Sequence, residues 1–199
     1  MRDEKRTARQ AEIETSAYEV LRERGYAGTS MLRIAQRASA SNETLYNWYG
    51  DKAGLFRALV QRNAAEVQAH LEDSLAGERP PLETLRALGP RLLALLTGPR
   101  AVALNQAAAA DPSGELGAVI AEAGRETVAP LIQRTLEIAR DDGALAFADP
   151  QEAVELYLNL LVGDLQIRRA IGRMPPLGPA AVDRRAARAF AYFCRLLEP

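Results

Sequence analysis

Ser41, Asn42, Glu43, Thr44, Tyr46 and Asn47 place six hydrogen-bonding side chains within seven consecutive positions, interrupted only by Leu45. On a helix over 41–48, Leu45 and Tyr49 turn inward and the polar side chains lie on or near an open face. Such a face can bond base edges or phosphates. An asparagine pairs bidentately with adenine, and a glutamate accepts from the cytosine amino group. Each residue also has a plainer reading. Glu43 falls in a first helical turn, where a carboxylate is favourable in any protein. Asn42 and Asn47 can be merely solvated, Tyr46 can be an ordinary amphipathic surface aromatic, and Trp48 reads as packing at the edge of the motif.

The rest of the chain offers no rival chemistry. It has one histidine, His70, four residues before Ser74 on a charged stretch, which reads as solvated or hydrogen-bonded. Its one cysteine, Cys194, lies in an apolar helical pattern and reads as a buried thiol. There is no Gly-rich phosphate loop and no close acid pair with a partner base, so neither an enzyme nor a metal or cofactor site is expected. A single cysteine allows no intramolecular disulfide and no cysteine zinc cluster, which suits a reducing compartment. The charged opening MRDEKRTARQAEIE does not read as a secretory signal, and no stretch approaches the roughly 20 apolar residues of a membrane span. A cytoplasmic location is the expectation.

The elements that must position the polar face are all helical. Breakers divide the sequence into segments at 6–24, 30–37, 41–48, 52–76, 82–97, 100–110, 114–142, 150–171 and 180–197, and none reads as a strand. Ser30, Ser41, Asp51 and Asp149 are candidate N-caps, and Gly143 is a candidate C-cap. Pro90 and Pro130 fall inside helical patterns, where each is expected to kink or interrupt its helix. The segment 30–37 turns Leu32, Ile34, Ala35 and Ala38 inward, and Ala35 is small enough for another helix to cross closely. A tight turn at Ala38–Ala40 follows, in which Ser39 is expected to need a positive φ. Two short helices at a steep angle, the second with a polar first turn, form a unit that fits the major groove.

Hydrophobic residues make up 48% and charged residues 26% of the 199, a globular composition. The net charge of −1 hides an asymmetry. Residues 1–62 hold eleven Arg and Lys against eight Asp and Glu, whereas 63–199 hold fourteen against eighteen. Within the first part, Arg2, Lys5, Arg6 and Arg9 have two readings, an arm that reaches a neighbouring groove or a disordered solvated tail, and dilution by Asp3 and Glu4 favours the tail.

The pattern Thr29-Ser30-Met31-x-x-Ile34-Ala35, followed by Ser41-x-x-Thr44-Leu45-Tyr46-x-x-Tyr49-x-x-Lys52-x-x-Leu55-Phe56, resembles the TetR/AcrR-type regulators. The motif covers about 50 residues, and the remainder agrees in length and helical content. Two departures are Ser39-Ala40 where that turn usually carries glycine and valine, and Trp48-Tyr49 in place of the commoner His-Phe pair. The resemblance implies an all-α chain: a three-helix helix-turn-helix DNA-binding domain over 1–51, and a larger helical effector-binding and dimerisation domain over 52–199, with helix 52–76 connecting them. It implies backbone contacts to phosphate at Met31 and Ser41, a phosphate contact from the Tyr46 hydroxyl, and one from Lys52 at the start of the fourth helix. Asn42, Glu43 and Asn47 match positions that usually face bases, and Thr44 belongs to the same face.

The resemblance further implies a double-stranded DNA operator as partner and a small-molecule effector, held among the middle helices. Polar residues within apolar runs, namely Asn105, Gln106, Gln133, Asn159 and Asp164, are candidates to line that pocket. They serve equally as structural hydrogen-bonders or dimer contacts. Their Leu, Val, Ile and Ala neighbours favour a neutral or weakly charged, partly apolar ligand. The apolar faces of 150–171 and 180–197 suit either internal core or half of an intersubunit four-helix bundle, and a homodimer on a palindromic operator is expected. The function so implied is an effector-released repressor. The alternatives are an activator, or a helical interaction module without specific DNA binding.

Overall fold

A computed structural model describes residues 2–77 and 79–199, with side chains described from Lys5 onward. The described residues form helices and no strands. In order they are α1 (Arg2–Arg24), α2 (Met31–Arg37), α3 (Asn42–Tyr49), α4 (Lys52–Ala76), α5 (Pro81–Thr97) and α6 (Pro99–Ala109). After these come α7 (Glu115–Ile120), a π-helical turn (Ala121–Arg125), α8 (Glu126–Asp141), α9 (Pro150–Val162), α10 (Leu165–Ala170) and α11 (Pro179–Leu196).

Local chemistry sets the ends. Ser30 Oγ accepts from the Arg33 amide at 3.3 Å, Ser41 Oγ from the Thr44 amide at 3.0 Å, and Asp149 Oδ1 from the Gln151 amide at 2.8 Å. Each satisfies a donor that its helix cannot. Asp51 Oδ1 does the same for Gly54 at 2.7 Å. Gly143, at φ +71°, follows α8 in the left-handed conformation expected of a residue that ends a helix.

The structure corrects four expectations. Helix α1 begins at Arg2, so Lys5, Arg6 and Arg9 are helical and not a disordered tail. Leu32 does not turn inward. It is 53% exposed, and Met31 takes the inward place at the first position of α2. Of the two outcomes expected at Pro90 and Pro130, interruption does not occur: α5 and α8 run on through them, and the residues four positions earlier, Arg86 and Glu126, are exposed, which suits water as the partner of the carbonyls they free. The break in 114–142 falls instead at the π-helical turn Ala121–Arg125. The segment 150–171 also divides, at Gly163, whose φ of +53° no helix interior permits. There Arg185 Nε donates to the Leu161 carbonyl at 2.9 Å, pairing an acceptor left open at the end of α9.

The chain packs as two units, one of residues 1–62 with 103–123, the other of 63–102 with 124–199. In the first, Ile13, Ala17, Leu21, Ile34, Leu45, Leu55, Phe56 and Leu116 are each 0–2% exposed and form one cluster. In the second, Leu85, Leu88, Leu93, Leu136 and Phe193 are fully buried around Tyr157, whose hydroxyl donates to the Leu85 carbonyl at 2.7 Å. Gly89 lets α5 and α11 approach closely, since a Cβ there would sit 3.3 Å from the Ala186 Cβ.

Candidate nucleic-acid interface

Between α2 and α3 the backbone reverses over three residues. The amides of Ala38, Ser39 and Ala40 bond back to Ile34, Gln36 and Ala35 at 2.8, 3.2 and 2.9 Å. Ser39 is the residue with φ of +50°, as the missing glycine requires. Arg9 donates to its carbonyl and pairs with Glu12, tying α1 to the turn.

Leu45 is fully buried, and it orients α3. Ser41, Asn42, Glu43, Tyr46 and Asn47 are exposed, Tyr46 at 49%. Thr44 is half-buried, and its hydroxyl lies 2.7 Å from Ser41 Oγ, so part of its polarity is spent locally. At the first position of α2 the Met31 side chain is 4% exposed, while its amide belongs to the first helical turn, where donors lack helical acceptors. Gly50, at φ +78°, ends α3 and donates to the Tyr46 carbonyl at 2.9 Å.

Behind this face, Tyr49 is half-buried. Its buried hydroxyl has no hydrogen-bond partner among the described residues, and burial, with the Glu14 carboxylate nearby, pushes its pKa up to about 12. The Lys52 ammonium donates to the Tyr26 carbonyl at 3.2 Å and lies 3.8 Å from the Tyr26 ring centroid. Lys52 therefore braces the α1–α2 connection at the start of α4, whether or not it also meets a phosphate. Trp48 is half-buried and meets Tyr49 edge to face, with centroids 6.4 Å apart. Arg6 lies over the Trp48 ring, its guanidinium carbon 5.7 Å from the centroid. Sequence reasoning missed the placement of Arg6 and Arg9 against the motif. Their helical spacing was available, but Asp3 and Glu4 obscured it.

The five polar residues of the middle helices do not gather. Asn105 is half-buried and Gln106 exposed in the first unit. In the second, Gln133 donates to Glu137 at 2.9 Å, Asn159 is exposed, and Asp164 is exposed and pairs with Arg168 at 4.0 Å. A cleft of about 420 Å3 in the second unit involves none of them. Its apolar wall is Leu75, Pro80, Pro81 and Ile138, its hydroxyls are Ser74, Thr84 and Thr135, and Arg79 and Asp142 complete its lining. Each hydroxyl donates to a carbonyl four residues back, at 2.7, 3.3 and 2.9 Å, so each offers an acceptor lone pair and no free donor. His70 Nε2 lies 3.2 Å from the Thr84 carbonyl, a hydrogen-bonded histidine as expected. The second unit also leaves Ile167, Ile171, Tyr192 and Leu196 between 50% and 66% exposed.

A short helix pair that presents a capped, polar second helix on a buried leucine, joined to a further helical unit, defines a DNA-binding regulator of transcription. Residues 13–59 match the profile described as bacterial regulatory proteins, tetR family, and residues 83–197 match that of the AefR-like transcriptional repressor, C-terminal domain. The chain belongs to the tetR family of bacterial regulatory proteins. Among solved structures it is similar to a TetR transcriptional regulator from Agrobacterium tumefaciens, at 27% identity over 95% of this chain and 94% of that one, with a TM-score of 0.70. It is also similar to the flavonoid-responsive regulator FrrA, at 25% identity over 97% and 98%, with a TM-score of 0.68. The SmeT–triclosan complex shares the fold, at 21% identity over 96% and 92%, with a TM-score of 0.75. No curated protein matches the chain.

Proposed function

We propose that this regulator is a homodimeric repressor, released from a near-palindromic operator by a small, largely apolar effector. The observation that carries the reading is the exposed face of α3, where Asn42, Glu43, Tyr46 and Asn47 stand clear of a fully buried Leu45. Asn42, Glu43 and Asn47 read bases, while Ser41, Thr44, Tyr46, Lys52 and the Met31 amide position the phosphate backbone. Residues 1–51 form the reading head and 52–199 the effector-binding and dimerisation part, linked through α4. Dimerisation runs through 150–171 and 180–197, a reading supported by exposed Ile167, Ile171, Tyr192 and Leu196, which a monomer leaves in water. An effector in the range 63–171 is supported by the cleft at Ser74, Thr84 and Thr135. It is supported as well by the likeness to a flavonoid-responsive regulator, an aromatic ligand class whose hydroxyls can donate to the Ser74, Thr84 and Thr135 oxygens of the cleft. A repressor of chromosomal genes acts in the cytoplasm, so that location follows from the proposed function; no described helix is long and apolar enough to cross a membrane.

The test is a gel shift on the DNA upstream of the protein's own gene, with competitor DNA and a salt series. A salt-dependent complex that survives competitor and that a flavonoid weakens is expected. A complex lost entirely to competitor refutes the operator reading. Because linkage is reciprocal, an effector that binds the DNA complex as tightly as the free dimer refutes release.

A further inference from the structure

Lys5, Arg6 and Arg9 stand at helical positions that share one side of α1, since residues one and four apart are separated by about 100° and 40° around a helix. That side meets the helix-turn-helix at two points. Arg9 holds the Ser39 carbonyl in the turn before α3, and Arg6 lies over the Trp48 ring in the last turn of α3. Arg9 is consumed by these contacts, through its pairing with Glu12 as well as with the turn. Lys5 and Arg6 are exposed, and among the described residues no carboxylate pairs with either. A guanidinium held 5.7 Å from an indole centroid by cation–π attraction keeps its N–H groups free to donate elsewhere.

We propose that Lys5 and Arg6 form a second phosphate-contact site, gripping the DNA backbone beside the C-terminal end of α3. Arg9 acts as the positioning residue that fixes the first turns of α1 against the motif. The site lies outside the residues that the helix-turn-helix pattern assigns, and it rests on the reading of α3 as the recognition helix. Phosphate is the ligand because the site offers two exposed cations that no carboxylate among the described side chains pairs, and a point charge suits a phosphate oxygen. It therefore adds affinity to every sequence alike.

The experiment uses the full chain and a fluorescein-labelled duplex of arbitrary sequence, about 30 base pairs long, titrated by anisotropy between 50 and 200 mM salt. Each phosphate contact contributes about 0.9 to the slope of log affinity against log salt, so K5Q/R6Q is expected to flatten the slope by about 1.8. The wild type's advantage over this variant then changes about 12-fold across the salt range, which follows from that slope difference. Arg6→Lys in a Lys5 background keeps the charge and is expected to retain the slope. A purely structural role for Arg6 on Trp48 predicts a different result: a lower melting temperature by circular dichroism with the slope unchanged, and that result overturns the proposal. Wild-type protein with a steep slope and K5Q/R6Q with the same slope also overturns it, leaving α3 as reader intact. Wild-type protein with no salt-dependent binding removes the reading of α3 and this site together.

Discussion

In the N-terminal unit the exposed side of α3 is polar and its aliphatic residue, Leu45, is fully buried, whereas the C-terminal unit leaves Ile167, Ile171, Tyr192 and Leu196 at least half exposed. Under the proposed function the contrast is one of partners. A surface that meets DNA keeps hydrogen-bonding groups solvated until the duplex replaces water. A surface that meets a second protein copy has its apolar area stranded when viewed alone. Leu32 is the partial exception in the first unit, an aliphatic side chain 53% exposed on α2. It lies opposite the flank on which Arg37 pairs with Glu19 and Glu23 of α1.

The sharpest way to break this comparison is to make the second surface polar. Ile171→Glu with Leu196→Glu should leave the monomer fold intact, since both side chains already face solvent. It should convert dimer to monomer by sedimentation equilibrium. Operator affinity should then fall by about 10²–10⁴-fold, the advantage that two linked half-site contacts have over one. A variant that remains dimeric would show that these residues are exposed for some other reason.

Within the first unit, buried and exposed leucines should behave differently. Leu45→Ala removes a fully buried side chain and should cost about 2–5 kcal/mol in urea unfolding, whereas Leu32→Ala should lie within about 0.5 kcal/mol of wild type. Equal costs would mean that Leu32 is covered in solution.

On the reading face the next effects separate by kind. Asn47→Ala should cost about 1–3 kcal/mol at particular base pairs and little elsewhere, measured as affinity across single-base operator variants. Lys52→Ala should weaken all sequences alike, flatten the salt slope by about 0.9, and also lower the melting temperature, because its ammonium holds the Tyr26 carbonyl. A flat operator profile for Asn47→Ala would remove it as a reader. An unchanged salt slope for Lys52→Ala would leave it only a brace.

What was legible in the sequence follows the same division. Helices α2 and α3 and the start of α4 could be placed to within a residue, because Ser30, Ser41 and Asp51 are local caps whose effect depends on the next three residues alone, whereas α1 has no such cap in its first turns and its start was set four residues late. The polar face of α3 was legible for a similar reason, since helical period and one buried leucine fix it. The interruptions at Ala121–Arg125 and Gly163 were not legible. A proline in a helix whose freed carbonyl faces water looks in sequence like one that breaks it, and the break at Gly163 is stabilised by Arg185, a residue 22 positions away. Leu32 was misplaced because a four-residue inward set on α2 can be drawn with either Met31 or Leu32. The side chains lining the cleft were missed because Ser74, Thr84 and Thr135 meet only through tertiary packing, and their hydroxyls look like ordinary helix residues bonding their own backbone.

The smallest expected effect concerns the turn on which the reading head depends. Ser39 sits at φ +50°, where an L side chain crowds its own backbone by about 1–2 kcal/mol and glycine does not. Glycine, however, loses more freedom on folding, which returns part of that gain. Ser39→Gly should therefore stabilise the chain by about 0.5–1 kcal/mol, a rise of about 1–4 °C in melting temperature for a protein of this size. The Ser39 side chain takes no part in holding the turn. Its amide donates to Gln36 and its carbonyl accepts from Arg9, and glycine keeps both groups. Operator affinity should stay within about twofold of wild type, because α3 keeps its orientation. A stabilised variant with lost affinity would mean that the Ser39 hydroxyl contacts DNA. A destabilised one would mean that the turn leaves the left-handed region in solution.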